Sequence, residues 1–112
     1  MAIGDVTPKK LFQSALSTSV TAKYTCPANN RAQVIEIYLD NQNTTTVRYV
    51  SIYAHGTAAG NRLINRIKLK ANQSICVSDA KIILNAGEVL AMVQDVGTDV
   101  IATCYGYEEV IA

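Results

Sequence analysis

The chain has 112 residues, 49% of them hydrophobic and only 17% charged, with a formal net charge of +1. That length suits one domain, the hydrophobic share supports a packed core, and the low charge excludes a strongly basic nucleic-acid binder. Asn, Gln, Ser and Thr supply 29 uncharged polar side chains in place of charge. No apolar run reaches the roughly 18 residues of a membrane-spanning helix. Met1 to Lys10 is polar and leads into no apolar stretch, which argues against a secretory signal.

Residues 1–17 read as an N-terminal arm or a short helix. Gly4 and Pro8 favour an extended arm, whereas Leu11, Phe12, Ala15 and Leu16 recur at helical spacing within Lys9 to Ser17. Residues 18–112 read as one β domain. Thr18 to Thr25 alternates in polarity and is broken by Cys26-Pro27-Ala28-Asn29-Asn30, where proline removes a donor and asparagine favours a turn. Strands are then expected over Arg31 to Leu39, Val47 to Ala54, Arg62 to Leu69, Gln73 to Val77, Lys81 to Leu84, Glu88 to Gln94 and Asp99 to Val110. About eight short strands with turn residues between them predict an all-β fold, an antiparallel two-sheet β-sandwich of jelly-roll type. Three tetrapeptides, Pro27-Ala28-Asn29-Asn30, Lys70-Ala71-Asn72-Gln73 and Asn85-Ala86-Gly87-Glu88, place Asn or Gly third, just before a strand. Both residues tolerate positive φ, so one tight turn is expected at three corners.

Residues that could carry chemistry are few. Cys26, Cys76 and Cys104 form no Cys-x-x-Cys pair, and an odd number argues against a disulfide framework; Cys76 and Cys104 lie in apolar-rich segments, where free thiols packed as small hydrophobes are expected. His55, the sole histidine, has no acid or cysteine near it in the sequence, and a general base needs a partner to orient it. Asp95 and Asp99 bracket Gly97 without calcium-loop spacing, and no nucleophile elbow, phosphate loop or dinucleotide fingerprint occurs. Catalytic, cofactor and metal sites are therefore not expected, nor is an enzyme.

Surface character says more. Val34, Ile35, Ile37, Tyr38 and Leu39 put apolar groups on both faces of one strand; Val47 to Tyr53 and Val100 to Tyr107 behave likewise. A small sandwich that wets one face of each sheet should not do this, so something is expected to cover the second faces. Ile35, Ile37, Leu39, Val50, Ile52, Tyr105 and Tyr107 are the expected subunit interface, and a homo-oligomer the expected state. Leu63, Ile67 and Leu69 are assigned to one face of their strand. Arg62, Arg66, Lys68 and Lys70 are assigned to the other, a basic contact face suited to an acidic neighbouring subunit better than to nucleic acid, since no aromatic residues interleave with it. Tyr49 with Tyr53, and Tyr105 with Tyr107, offer aromatic surface for core packing, a protein interface or stacking on sugar rings.

The stretches "KYTCPANNRAQVIEIYL", "NQNTTTVRYVSIYAHGT", "NRLINRIKLKANQSICV" and "KIILNAGEVLAMV" together resemble the small β-sandwich virion proteins of tailed bacteriophages. Tyr24, Thr25, Pro27 and Ala28 match that family's strand-opening turn, and Asn85, Ala86, Gly87 and Glu88 its late turn, over about residues 18–110. The resemblance implies a virion structural protein without catalytic residues, first of all a capsid decoration (cement) subunit. Such a subunit self-associates, binds the major capsid protein or another virion protein, and resides in the virion after synthesis in the bacterial host cytoplasm. A tail, adaptor or fibre component and a carbohydrate-binding sandwich are the alternatives.

Overall fold

A computed structural model describes residues 2–78 and 81–112. Nine strands follow one another: β1 (Val6–Ala15), β2 (Thr21–Thr25), β3 (Asn30–Asn41), β4 (Arg48–Ala54), β5 (Arg62–Leu69), β6 (Ser74–Val77), β7 (Ile82–Asn85), β8 (Val89–Gln94) and β9 (Val100–Val110). A single 3-10 turn over Ala59–Asn61 precedes β5. The larger sheet runs β1-β9-β3-β6, with β7 pairing β3 beyond β6, and the smaller runs β2-β8-β4-β5. All pairings are antiparallel. The first strand pairs the last, the second pairs the last but one, and the middle of the chain closes on itself. This is the rolled-up hairpin of a jelly roll.

The predicted strands all appear within two or three residues of their expected ends. The helix reading of residues 9–17 fails. Val6–Ala15 is a strand along β9 from Val6↔Glu109 to Ala15↔Ile101. The leucine and phenylalanine at helical spacing are instead brought inward by a register irregularity between Lys10 and Phe12, which puts Leu11 and Phe12 against the core. An isolated nine-residue helix is marginal, whereas a strand here satisfies its backbone on a long neighbour.

The core fills the space between the sheets with Val34, Ile37, Leu39, Val50, Ile52, Leu69, Leu84, Leu90, Met92 and Val100, all fully buried. The doubly apolar appearance of β3 has a local cause. A bulge between Val34 and Glu36 advances the strand by one residue, so Ala32 and Val34 before it and Ile37 and Leu39 after it face the same side. In β5, irregularities opposite Ser51 and between the partners of Ile52 and Tyr53 expose Leu63 and turn Ile64, Ile67 and Leu69 inward. Leu63 therefore does not share the buried face assigned to it. Four of the expected interface residues, Ile37, Leu39, Val50 and Ile52, have no exposed surface in the single chain. They are core and leave nothing for a partner to cover: on β3 a period-two count ran across an unseen bulge, and on β4, unshifted along β8, Val50 and Ile52 are the inward face.

The three repeated tetrapeptides form the same turn. Their third residues Asn29, Asn72 and Gly87 have φ of 64°, 57° and 83°. In each, the fourth N–H donates to the first carbonyl: Asn30 to Pro27, Gln73 to Lys70 and Glu88 to Asn85. The two turns that carry the phage resemblance also bond to each other. The Cys26 N–H donates to the Glu88 carbonyl and the Gly87 N–H to the Cys26 carbonyl, both at 2.9 Å.

Gly106 lies where β9 meets the β3 bulge. A Cβ built there would stand 2.1 Å from the Gln33 carbonyl oxygen and 3.1 Å from the Val34 Cα, both backbone atoms that cannot move aside. Gly87 has open space and only its positive φ, and Gly60 has neither constraint. Denaturant unfolding of the alanine variants should therefore rank them. Gly60→Ala is expected near zero, Gly87→Ala at about 1 kcal/mol from left-handed strain, and Gly106→Ala at about 3 kcal/mol or more from steric displacement of the central strand pair.

Candidate functional site: the tyrosine face of the larger sheet

The outer face of the larger sheet carries three tyrosines at successive levels of the β3–β9 ladder. Tyr38 lies opposite Thr103, Tyr105 opposite Glu36, and Tyr107 opposite Gln33. Side chains two residues apart on a strand project to one side at roughly 7 Å intervals, so the three form a row about 14 Å long. Each keeps about 40% of its surface exposed. Tyr38 and Tyr105 meet edge to face, centroids 6.0 Å apart, an arrangement that holds both rings without burying them. β1 supplies the flank: Gln13, Lys10 and Pro8 lie opposite Thr103, Tyr105 and Tyr107. The Gln13 amide donates to the Thr103 hydroxyl at 3.0 Å, and the Lys10 ammonium donates to Gln13 Oε1 at 3.3 Å. Three shallow grooves of about 500, 400 and 340 Å³ follow this row, centred on Tyr38, on Ile35 with Tyr105, and on Tyr107 with Ile83. The Cys76 thiol and then the Glu36 carboxylate raise the Tyr38 phenol above its ordinary pKa, so it stays a neutral donor.

Sequence reasoning placed Tyr105 and Tyr107 together, and the structure adds Tyr38. It was missed because it belongs to a strand taken as mostly interface-facing, and the bulge decides which way it points. Ile35, the bulged residue, is half-buried beside Tyr105. The basic residues Arg62, Arg66, Lys68 and Lys70 are exposed on and just beyond β5, an edge strand of the smaller sheet. Arg66 adopts φ 57°, its N–H donates to the Ser51 hydroxyl, and its guanidinium lies 4.1 Å from the Tyr49 ring centroid. Arg62 and Lys68 stand opposite Tyr53 and Tyr49. Aromatic rings therefore do accompany this basic group, contributed by β4 and invisible along β5.

His55 also gains a partner that the linear sequence hides. Its Nδ1 lies 3.1 Å from Glu88 Oε1, which also accepts the Asn85 N–H at 2.7 Å. The Asn85 N–H and then His55 hold the Glu88 carboxyl below its ordinary pKa. This pair ties the β4–β5 loop to the β7–β8 turn. At the other end of the sandwich Asp99 accepts from Arg48 Nε and Nη2, from the Asn43 amide and from the Gln94 amide. Arg48 and then the two amides hold its carboxyl far below the ordinary carboxylate range. Among the described residues no grouping of three His, Cys, Asp or Glu could hold a metal ion, and no helix is long and apolar enough to cross a membrane.

No family model matches the chain, and no curated protein matches it. Among solved structures, a subunit from Bacillus endospore appendages, described as a novel family of disulfide-linked pili, superposes with a TM-score of 0.57 at 10% identity. The match covers 99% of this chain and 93% of that one. The Podospora anserina GH26-CBM35 β-(1,4)-mannanase superposes at 0.44 and 10% identity, this chain spanning 28% of it. The CBM22-1 xylan-binding domain of Paenibacillus barcinonensis Xyn10C superposes at 0.32 and 11% identity, over 100% and 99% of the two chains. The pilus likeness establishes a shared fold over the matched residues of both chains; the other two scores are too low to bear on this protein.

Two outcomes test this description. Asp99 is depressed in the fold, so its contribution to stability is complete above the unfolded carboxylate pKa of about 3.9 and is lost as pH falls below it. Asp99→Asn should lower the denaturant midpoint at pH 7 and flatten the decline of stability below about pH 4. Cys76 is exposed while Cys26 and Cys104 are buried, and burial pushes the Cys104 thiol up to about 12. A thiol reagent at pH 8 should titrate one cysteine in the native protein and all three in denaturant.

Proposed function

We propose that this protein is a structural building block, a β-sandwich subunit that associates with copies of itself into an extended particle or fibre. The observation that carries the reading is the correspondence of the jelly roll with a pilus subunit over 99% of this chain and 93% of that one. Exposed apolar side chains support it: Ile83 and Tyr107 beside one groove and Tyr38 and Tyr105 beside another remain open to solvent in the single chain. Such surface is what an assembled subunit covers. The finer reading is a virion protein of a tailed phage, a shell-decorating subunit whose partner is the major capsid protein. It rests on the turn residues Tyr24 to Ala28 and Asn85 to Glu88 and on nothing in the fold that a pilus subunit lacks.

A second reading is favoured by the tyrosine row. Three rings along one sheet face, flanked by Gln13, Gln33 and Glu36, have the composition of a surface that stacks sugar rings and hydrogen-bonds their hydroxyls. In that reading the protein is a carbohydrate-binding sandwich.

Native mass measurement and negative-stain imaging from about 1 μM to 1 mM separate the two. Concentration-dependent oligomers, rings or filaments are expected. A monomer throughout, together with glycan binding lost about tenfold or more in Tyr105→Ala, would replace the assembly reading with the carbohydrate one.

A further inference from the structure

The four free sheet edges of this sandwich are not equally protected. β1 carries Pro8, Lys9 and Lys10 and an irregularity between Lys10 and Phe12. β2 is five residues long, shifts register between Ala22 and Tyr24, and ends the Lys23 side chain on the Ala15 carbonyl at 3.0 Å. β5 carries Arg62, Arg66 and Lys68, with two register shifts and Arg66 in the left-handed region. Proline, lysine or arginine, and bulges are the devices that keep an edge from pairing with another chain. On the fourth edge the two strands carry none of them; Lys81, at φ 46°, stands in the connection between them. β6 and β7 lie end to end along β3, opposite Asp40–Ile37 and Val34–Arg31 respectively. Ser74–Val77 and Ile82–Asn85 contain no charged residue and no proline, and their own ladders show no shift. Outward-pointing Cys76 and Ile83 are exposed, Ile83 to 52%.

From this asymmetry we infer that the β6–β7 edge is the pairing surface of the protein, and that its occupant is the same edge of a second copy. The inference rests on the assembly reading and names its contact. A guarded edge of another copy would bring lysine, arginine or proline into the ladder, so the unguarded edge is the complementary one. β6 and β7 run in the same direction and are each four residues long. A two-fold axis normal to the sheet therefore sets β6 of one copy antiparallel to β7 of the other, twice over. Full overlap puts Ile75 opposite Leu84, Cys76 opposite Ile83, and Val77 opposite Ile82 of the second copy. Cross-strand Cα atoms then lie about 4.5–5.5 Å apart. The contact is isologous, as two-fold interfaces are. It joins two five-stranded sheets into one continuous sheet and covers the exposed Ile83 side chain. Two four-residue ladders bury less than a standard interface, so the pairing is concentration-dependent alone and gains strength through repetition in a larger assembly.

The test uses Ile83→Cys, which creates a thiol opposite Cys76 of the second copy, together with Ile83→Lys and Cys76→Lys, all at exposed positions outside the core. With a short bismaleimide, Ile83→Cys should form a covalent dimer whose cross-linked peptide joins positions 76 and 83. Either lysine variant should weaken association about tenfold or more while keeping the native circular dichroism. Leu63→Lys, at an exposed apolar position on a guarded edge, should leave association unchanged. Oligomers that persist in both lysine variants, with no 76–83 cross-link, would overturn this edge as the contact and leave the assembly reading standing. A monomer at all concentrations would overturn both.

Discussion

The fold depends on a close backbone contact, the packing of the β3 bulge against Gly106. β9 pairs with both β1 and β3, so the β3–β9 ladder is the spine of the larger sheet. Along it, Gly106 faces Val34 and Tyr105 faces Glu36, leaving Ile35 as the extra residue. The space that a Cβ would take at Gly106 is filled by the Gln33 carbonyl. Because of that one-residue advance, Ala32, Val34, Ile37 and Leu39 all point at the smaller sheet. Without it, Ile37 and Leu39 would face solvent, and Glu36 and Tyr38 would enter the core. A one-residue slip exchanges every side chain between faces.

The two sheets are also fastened by polar groups at the periphery of that core. Asp99 gathers Arg48, Asn43 and Gln94 at one end, joining loops that leave strands of both sheets. The Tyr24 hydroxyl, reaching from the smaller sheet, donates to Glu108 on β9, which is also paired with Lys9. No buried side-chain N or O atom among the described residues lacks a hydrogen-bond partner, as a satisfied interior requires. Asn41 illustrates this. Fully buried, its amide donates to the carbonyls of Thr46, Leu69 and Lys70, and its side-chain oxygen accepts the Asn43 N–H.

These constraints leave the surface free to differ from side to side. On the smaller sheet part of the outer face is covered by its own edge strand: Tyr49 lies under Arg66, and Ser51 is held by Asn65 and Arg66. The larger sheet leaves Tyr38, Tyr105 and Tyr107 open, with Ile83 at the adjacent unguarded edge. The two outer faces of the sandwich therefore differ in chemistry, one basic and the other aromatic. The four aliphatic residues first assigned to an interface belong to the core, and the apolar surface left open lies on the tyrosine row and at the sheet edges.

Much of this protein was written in local chemistry. Strand positions followed from β-branched and aromatic runs between Asn, Gly and Pro, and the left-handed residue of three turns followed from Asn29, Asn72 and Gly87 standing third in each. These are short-range properties, set by steric limits on φ and by residues within a few positions of one another. The direction each strand faces was decided elsewhere. The bulges at Ile35 and at Asn65–Arg66 depend on what the neighbouring strand presents, a glycine in one case and a serine hydroxyl in the other. The pairings of His55 with Glu88, Arg66 with Tyr49 and Tyr38 with Tyr105 join residues 33, 17 and 67 positions apart. Periodicity along one strand carries no information about such partners, because they are chosen by register between strands, and register exists only once the sheets have formed.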